Sequence, residues 1–68
     1  MKTGTRVFYW VKDVNGREHV YPNGDISGVI KKHGTVTGNR TKPRREVQIR
    51  ISGTDLTTYI RESYVYPE

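Results

Sequence analysis

Apolar and polar residues alternate through most of the chain. Nowhere do apolar residues recur at the 3.6-residue period over about ten positions, so no α-helix is expected. The cleanest run is Glu46–Ser52, where Val47, Ile49 and Ile51 alternate with Glu46, Gln48, Arg50 and Ser52. That is a strand with one buried and one wet face. Thr5–Lys12 is different. Val7, Tyr9 and Val11 point one way and Arg6, Phe8, Trp10 and Lys12 the other, so both faces carry large apolar groups. Such a strand either fills a second side of a barrel or a subunit contact, or presents Phe8 and Trp10 as an aromatic surface that stacks on a ligand.

Turn chemistry divides the remainder. Asn15-Gly16 is a strong short hairpin signal, because both residues accept positive φ. Arg17–Tyr21 returns from it, and Pro22-Asn23-Gly24-Asp25 turns the chain again. Residues 13–25 are thus expected to form an excursion between two main strands. Asp25–His33 reads as the next strand, with Ile26, Gly28 and Ile30 on one face and Gly28 marking a bulge or bend. After Glu46–Ser52, Gly53-Thr54-Asp55 turns the chain and Leu56–Arg61 returns with Ile60 inward. Glu62-Ser63 makes a corner of about one 3₁₀ turn, and Tyr64-Val65-Tyr66 is a last strand ended by Pro67. The expected core is Val7, Ile26, Ile30, Val47, Ile49, Ile51, Ile60 and Val65.

Length places the 68 residues in one domain, residues 1–68, with little surface to bury. There is no cysteine, hence neither a disulfide nor a thiolate zinc site. The core must suffice alone or oligomerisation must help, and the sequence leaves the oligomeric state open. Apolar content of 32% raises the question of disorder. The alternating valine, isoleucine, threonine and tyrosine answer it, since that is strand composition. No apolar run approaches the roughly 18 residues of a membrane span, and Met1–Thr5 has no h-region. A small cytoplasmic protein with no membrane partner is expected.

Charge changes the picture most. Lys31–Arg45 holds six of the twelve basic residues and no acid, while the remaining residues carry six basic and seven acidic side chains. The net charge of +5 is therefore the charge of one segment. With Gly34, Gly38, Asn39 and Pro43 in it, this segment reads as a long basic loop, mobile over residues 34–45, in which Thr35-Val36-Thr37 could extend the strand briefly. A concentrated positive field suits a polyanion. Lys31, Lys32, Arg40, Lys42, Arg44 and Arg45 are the expected phosphate contacts, Arg50 extends the patch, and Trp10 or a tyrosine on the adjacent barrel face is the candidate to stack on an unpaired base. The alternative is a protein-interaction module that uses the aromatic face or an edge strand. Catalysis is not expected. His19 and His33 have no nucleophile or carboxylate in recognisable spacing, and with scattered acids they make no metal cluster. Gly34–Gly38 lacks the Gly-Lys-Ser/Thr of a phosphate loop. No cofactor is implied.

Short strands, a long first excursion, a hairpin, a one-turn corner and a terminal strand together resemble an SH3-like small barrel. Gly4-Thr5-Arg6-Val7 is similar to the Gly-x-x-Val opening of Tudor, KOW and integrase C-terminal barrels. Gly28-Val29-Ile30 resembles their second strand, and Tyr59–Pro67 resembles their closing strand, corner and last strand. The resemblance implies an all-β, five-stranded SH3-like barrel. Proteins of that fold bind nucleic acid, methylated tails, proline-rich peptides or other proteins. One plasmid-encoded type reduces dihydrofolate as a tetramer, but Arg50 follows Val47-Gln48-Ile49 where that type has tyrosine. The fold alone assigns no function.

Overall fold

The computed structural model describes all 68 residues. Its strands are β1 (Arg6–Val14), β2 (Arg17–Tyr21), β3 (Ile30–Thr41), β4 (Glu46–Ile51), β5 (Thr57–Arg61) and the two-residue β6 (Tyr66–Pro67), with a single 3₁₀ turn at Glu62–Tyr64. Every pairing is antiparallel. The order is β2-β1-β3-β4-β5, with β6 also on β1, and the sheet curls into a half-barrel. No helix is long and apolar enough to cross a membrane.

The first hairpin forms as its turn residues dictate. Asn15 and Gly16 both have positive φ (54° and 79°), Val14 faces Arg17, and Asp13 Oδ1 accepts a hydrogen bond from the Gly16 N–H at 2.9 Å. Residues 22–29 then lead from β2, on one side of β1, to β3 on the other. They cross over the outer face of β1. Gly24 lies against the Trp10 ring, where an added Cβ would come within 2.9 Å. Gly28 lies against the Lys12 stem, and the Tyr66 hydroxyl donates to the Pro22 carbonyl oxygen. Phe8 stacks on Tyr66, ring centroids 5.5 Å apart, and meets Trp10 edge-on at 6.4 Å. The apolar outer residues of β1 are thus covered by the chain's own crossover and by β6. This is the barrel-filling role.

The inner face forms one core of Val7, Tyr9, Val11, Val36, Val47, Ile49, Ile60 and Val65, with Val20 and Tyr64 packed against it. Ile49 is fully buried. Glycine is required beside it: a Cβ at Gly34 would overlap the Ile49 side chain and come 2.7 Å from the Arg50 carbonyl oxygen.

Three expectations are corrected here. The strand expected over Asp25–His33 begins only at Ile30. Asn23 closes its own turn by accepting the Asp25 N–H at 2.9 Å, and Gly28 has φ of +87°, outside the β region. Ile26 and Ile30 are accordingly exposed, at 42% and 58%, and Ile51 is only half-buried. Ile30 pairs with Val11 on the inner face but stands at the open end of the half-barrel. Tyr9, Val11 and Val36 complete the core in their place.

Second, most of the basic segment is strand. Lys31–Thr41 continues β3, and only residues 42–45 form a turn. Thr35, Val36 and Thr37 hold the strand together, because Val36 is a core residue and its N–H is bonded to the Thr5 carbonyl at 2.9 Å. Gly38 and Asn39 mark a bulge. The β3–β4 register shifts between Val36 and Arg40, and Gly38 has φ of +102°. Gln48 pins the bulge by accepting from Thr37 Oγ1 at 2.6 Å and Asn39 Nδ2 at 2.8 Å. Twelve extended residues would span about 40 Å, beyond the 31 Å longest axis of the molecule. The bulge supplies the bend that β3 must make.

Third, the chain end is shifted. The 3₁₀ turn includes Tyr64, and β6 holds Tyr66 and Pro67, which face Phe8 and Val7. Leu56 lies outside β5 and is 66% exposed.

Candidate nucleic-acid interface

The strand pairings send the six cations of Lys31–Arg45 to different places. Lys31 faces Trp10 across β1–β3, and its ammonium lies 4.5 Å from the Phe8 ring centroid and 5.2 Å from that of Trp10. Lys32 alternates to the inner face, where it pairs with Glu18 at 2.8 Å. The buried Tyr9 hydroxyl has no hydrogen-bond partner. Burial, with Glu18 adding to it, pushes the Tyr9 phenol above its ordinary range. Arg40 is placed by the register after the bulge and pairs with Glu62 at 2.5 Å.

Lys42, Arg44 and Arg45 make no ion pair and occupy the β3–β4 turn. This turn is held from both ends. Thr41 Oγ1 accepts the Glu46 N–H at 3.3 Å, and the Arg45 carbonyl accepts the Glu62 N–H at 3.0 Å. Arg45 is left-handed (φ 55°), a conformation that costs a side chain with a Cβ about 1–2 kcal/mol. The bond to Glu62 ties the turn to the end of β5. Between them opens a cleft of about 550 Å³ lined by Pro43, Arg44, Arg45, Arg61, Glu62 and Ser63.

The carboxylate in that cleft is already engaged. The Arg40 guanidinium, and then the N-terminal ammonium at 3.2 Å, hold Glu62 below its ordinary value of 4.5. Arg44, Arg45 and Arg61 line the cleft without an ion pair, although Glu46 stands opposite Arg61 in the β4–β5 register. Arg61 stands over Tyr64, its guanidinium carbon 5.8 Å from the ring centroid. Arg50 lies farther along the wet face of the sheet, opposite Thr35 and Thr57.

The eight residues singled out from sequence thus separate. Arg44 and Arg45 line the cleft with Arg61, Lys42 lies in the same turn, and Arg50 shares the sheet face of Arg61. Lys32 and Arg40 are committed to acids. Trp10 and Lys31 sit together near the start of β3, and Gly24 covers part of the indole. Arg61 was missed and Tyr59 was not singled out among the tyrosines, although the alternation that turns Ile60 inward turns both outward. His33 is a strand residue opposite Phe8, bonded to Glu68, which also pairs with Arg6 at 3.2 Å. The His33 hydrogen bond, then that of Arg6, holds the Glu68 carboxyl low. No three histidine or acidic side chains gather as a metal site would need. No family model matches the chain, and no curated protein or solved structure is detectably similar to it.

Proposed function

We propose that this chain is an SH3-like small barrel whose basic β3–β4 turn binds the phosphates of a nucleic acid. The fold part of the reading is supported by the strand path β6-β1-β3-β4-β5 with a 3₁₀ corner before β6. The observation that carries the function is the sorting of charge. Acids engage Lys32 and Arg40 and aromatic rings engage Lys31, whereas Lys42, Arg44 and Arg45 make no ion pair; Arg44 and Arg45 line one cleft with Arg61, which stands over Tyr64 and makes no ion pair either. Unpaired guanidinium groups are forks suited to phosphate oxygens. Their attraction is to backbone and not to base edges, so binding is expected to be weakly sequence-dependent. Arg45 adds a second support. A left-handed position favours glycine or asparagine, and an arginine that carries this cost supports a use for its charge.

A mobility-shift panel of single- and double-stranded DNA and RNA at about 50 mM salt, where the electrostatic term is strong, tests this reading. Retardation that is lost in R44A/R45A is expected. An unretarded panel would abandon it for the protein-interaction alternative. That alternative rests on the free edge of β5, since Trp10 lies under the crossover and Phe8 is stacked on Tyr66.

A further inference from the structure

We propose that the ligand is a single-stranded nucleic acid, with a phosphate in the Arg44–Arg45–Arg61 cleft and an adjacent base stacked on Tyr59. This rests on the nucleic-acid reading above and narrows it to one strand. Tyr59 is 42% exposed, the one aromatic among the exposed large apolar residues. Phe8 packs against Trp10 and Tyr66, Tyr9 lies in the core, and Tyr64 packs against it beneath Arg61; Tyr21 is half-buried opposite Trp10, away from the cleft. Tyr59 packs on no ring and makes no side-chain hydrogen bond.

Its place on the sheet brings it to the cleft. Thr57, Tyr59 and Arg61 share the wet face of β5, so Arg61 follows Tyr59 by about 7 Å along the strand. One nucleotide spans such a separation between its base and a flanking phosphate. Arg50 lies across β4, diagonal to Tyr59 and about 7–8 Å from it. Tyr59 faces Gln48, whose amide is bound to Thr37, Asn39 and Thr57. The ring therefore rises from a fixed polar bed, flanked by Arg61 and Arg50, with Glu46 on the other diagonal opposite Arg61. A duplex keeps its base faces stacked inside, so its phosphates reach the cleft but its bases do not reach Tyr59. An unpaired strand offers both, and a ring stacks on any base.

Fluorescence anisotropy with a labelled oligothymidylate and a labelled duplex of the same length separates the two readings. Y59A should weaken oligothymidylate binding about 5- to 150-fold and leave the duplex unchanged. Y59F, which keeps the ring, should bind as the parent does. R44A/R45A should weaken both ligands. Thermal melting of Y59A and Y59F checks that the exposed position leaves the fold intact. Unchanged oligothymidylate affinity in Y59A, or an equal loss on the duplex, would overturn the stacking proposal while the phosphate reading stood. If the parent chain bound neither ligand, both would fall.

Discussion

Arg45 tests how far single residues have been assigned correctly, because it carries a conformational cost and a charge that substitution can separate. Arg45→Gly removes the Cβ from a left-handed position but adds freedom to the unfolded chain. Stability in urea should stay within about 1 kcal/mol of the parent, while nucleic-acid affinity falls. A variant that unfolds readily, or binds undiminished, would contradict the role given to this arginine. Gly34 makes the opposite case. Its Cβ would run into Ile49 and the Arg50 backbone, so Gly34→Ala should lower stability by about 1–3 kcal/mol, the usual cost of overpacking. Ile49→Ala should cost about 2–5 kcal/mol. Both are read from denaturation midpoints.

β3 shows best what could be read from the sequence and what could not. Its alternation around Val36 was visible as Thr35-Val36-Thr37, but Gly34, Gly38 and Asn39 resemble loop residues when each is taken alone. One glycine makes room for Ile49 and the other forms the bulge that bends the strand. Neither use has a local sequence signal, because each depends on a residue far along the chain. If β3 is strand, the Val36 amide, bonded to Thr5, should exchange as slowly as the core amides of β4, and fast exchange should be confined to residues 42–45. Fast exchange throughout residues 34–45 would restore the mobile loop. The 3₁₀ corner is bound to β3 by Glu62 and Arg40. The chain end is bound to β1 and β3 by Glu68, through Arg6 and His33. Both carboxyls have folded pKa values below the ordinary 4.5. Their contribution to stability is thus complete above that value and is lost as pH falls through the folded pKa. Urea midpoints should decline below about pH 4.5, and E62Q should show a shallower decline. Midpoints that hold or rise on acidification would contradict these ion pairs.

At the scale of the whole molecule, periodicity found the all-β architecture, the first hairpin, the β4 core face and the 3₁₀ corner, since each follows from local pattern. The charge of the site was equally legible. Its geometry was not. Whether a cation is free or neutralised depends on Glu18, brought by strand pairing, and on Glu62 at the 3₁₀ corner, and Arg61 joins the site through its register opposite Glu46 and the hydrogen bond between Glu62 and Arg45. The molecule as a whole is therefore a curled sheet that pairs part of its basic segment with acids and leaves Lys42, Arg44, Arg45 and Arg61 without an ion pair; on the reading proposed above, these four meet a polyanion. The most direct measurement is the salt dependence of oligothymidylate binding. Four cations on a single strand should give a slope of log K against log salt of about −3, and R44A/R45A should reduce it to about −1.4. A slope near zero, or the same slope in the parent and the double variant, would contradict phosphate binding by this turn.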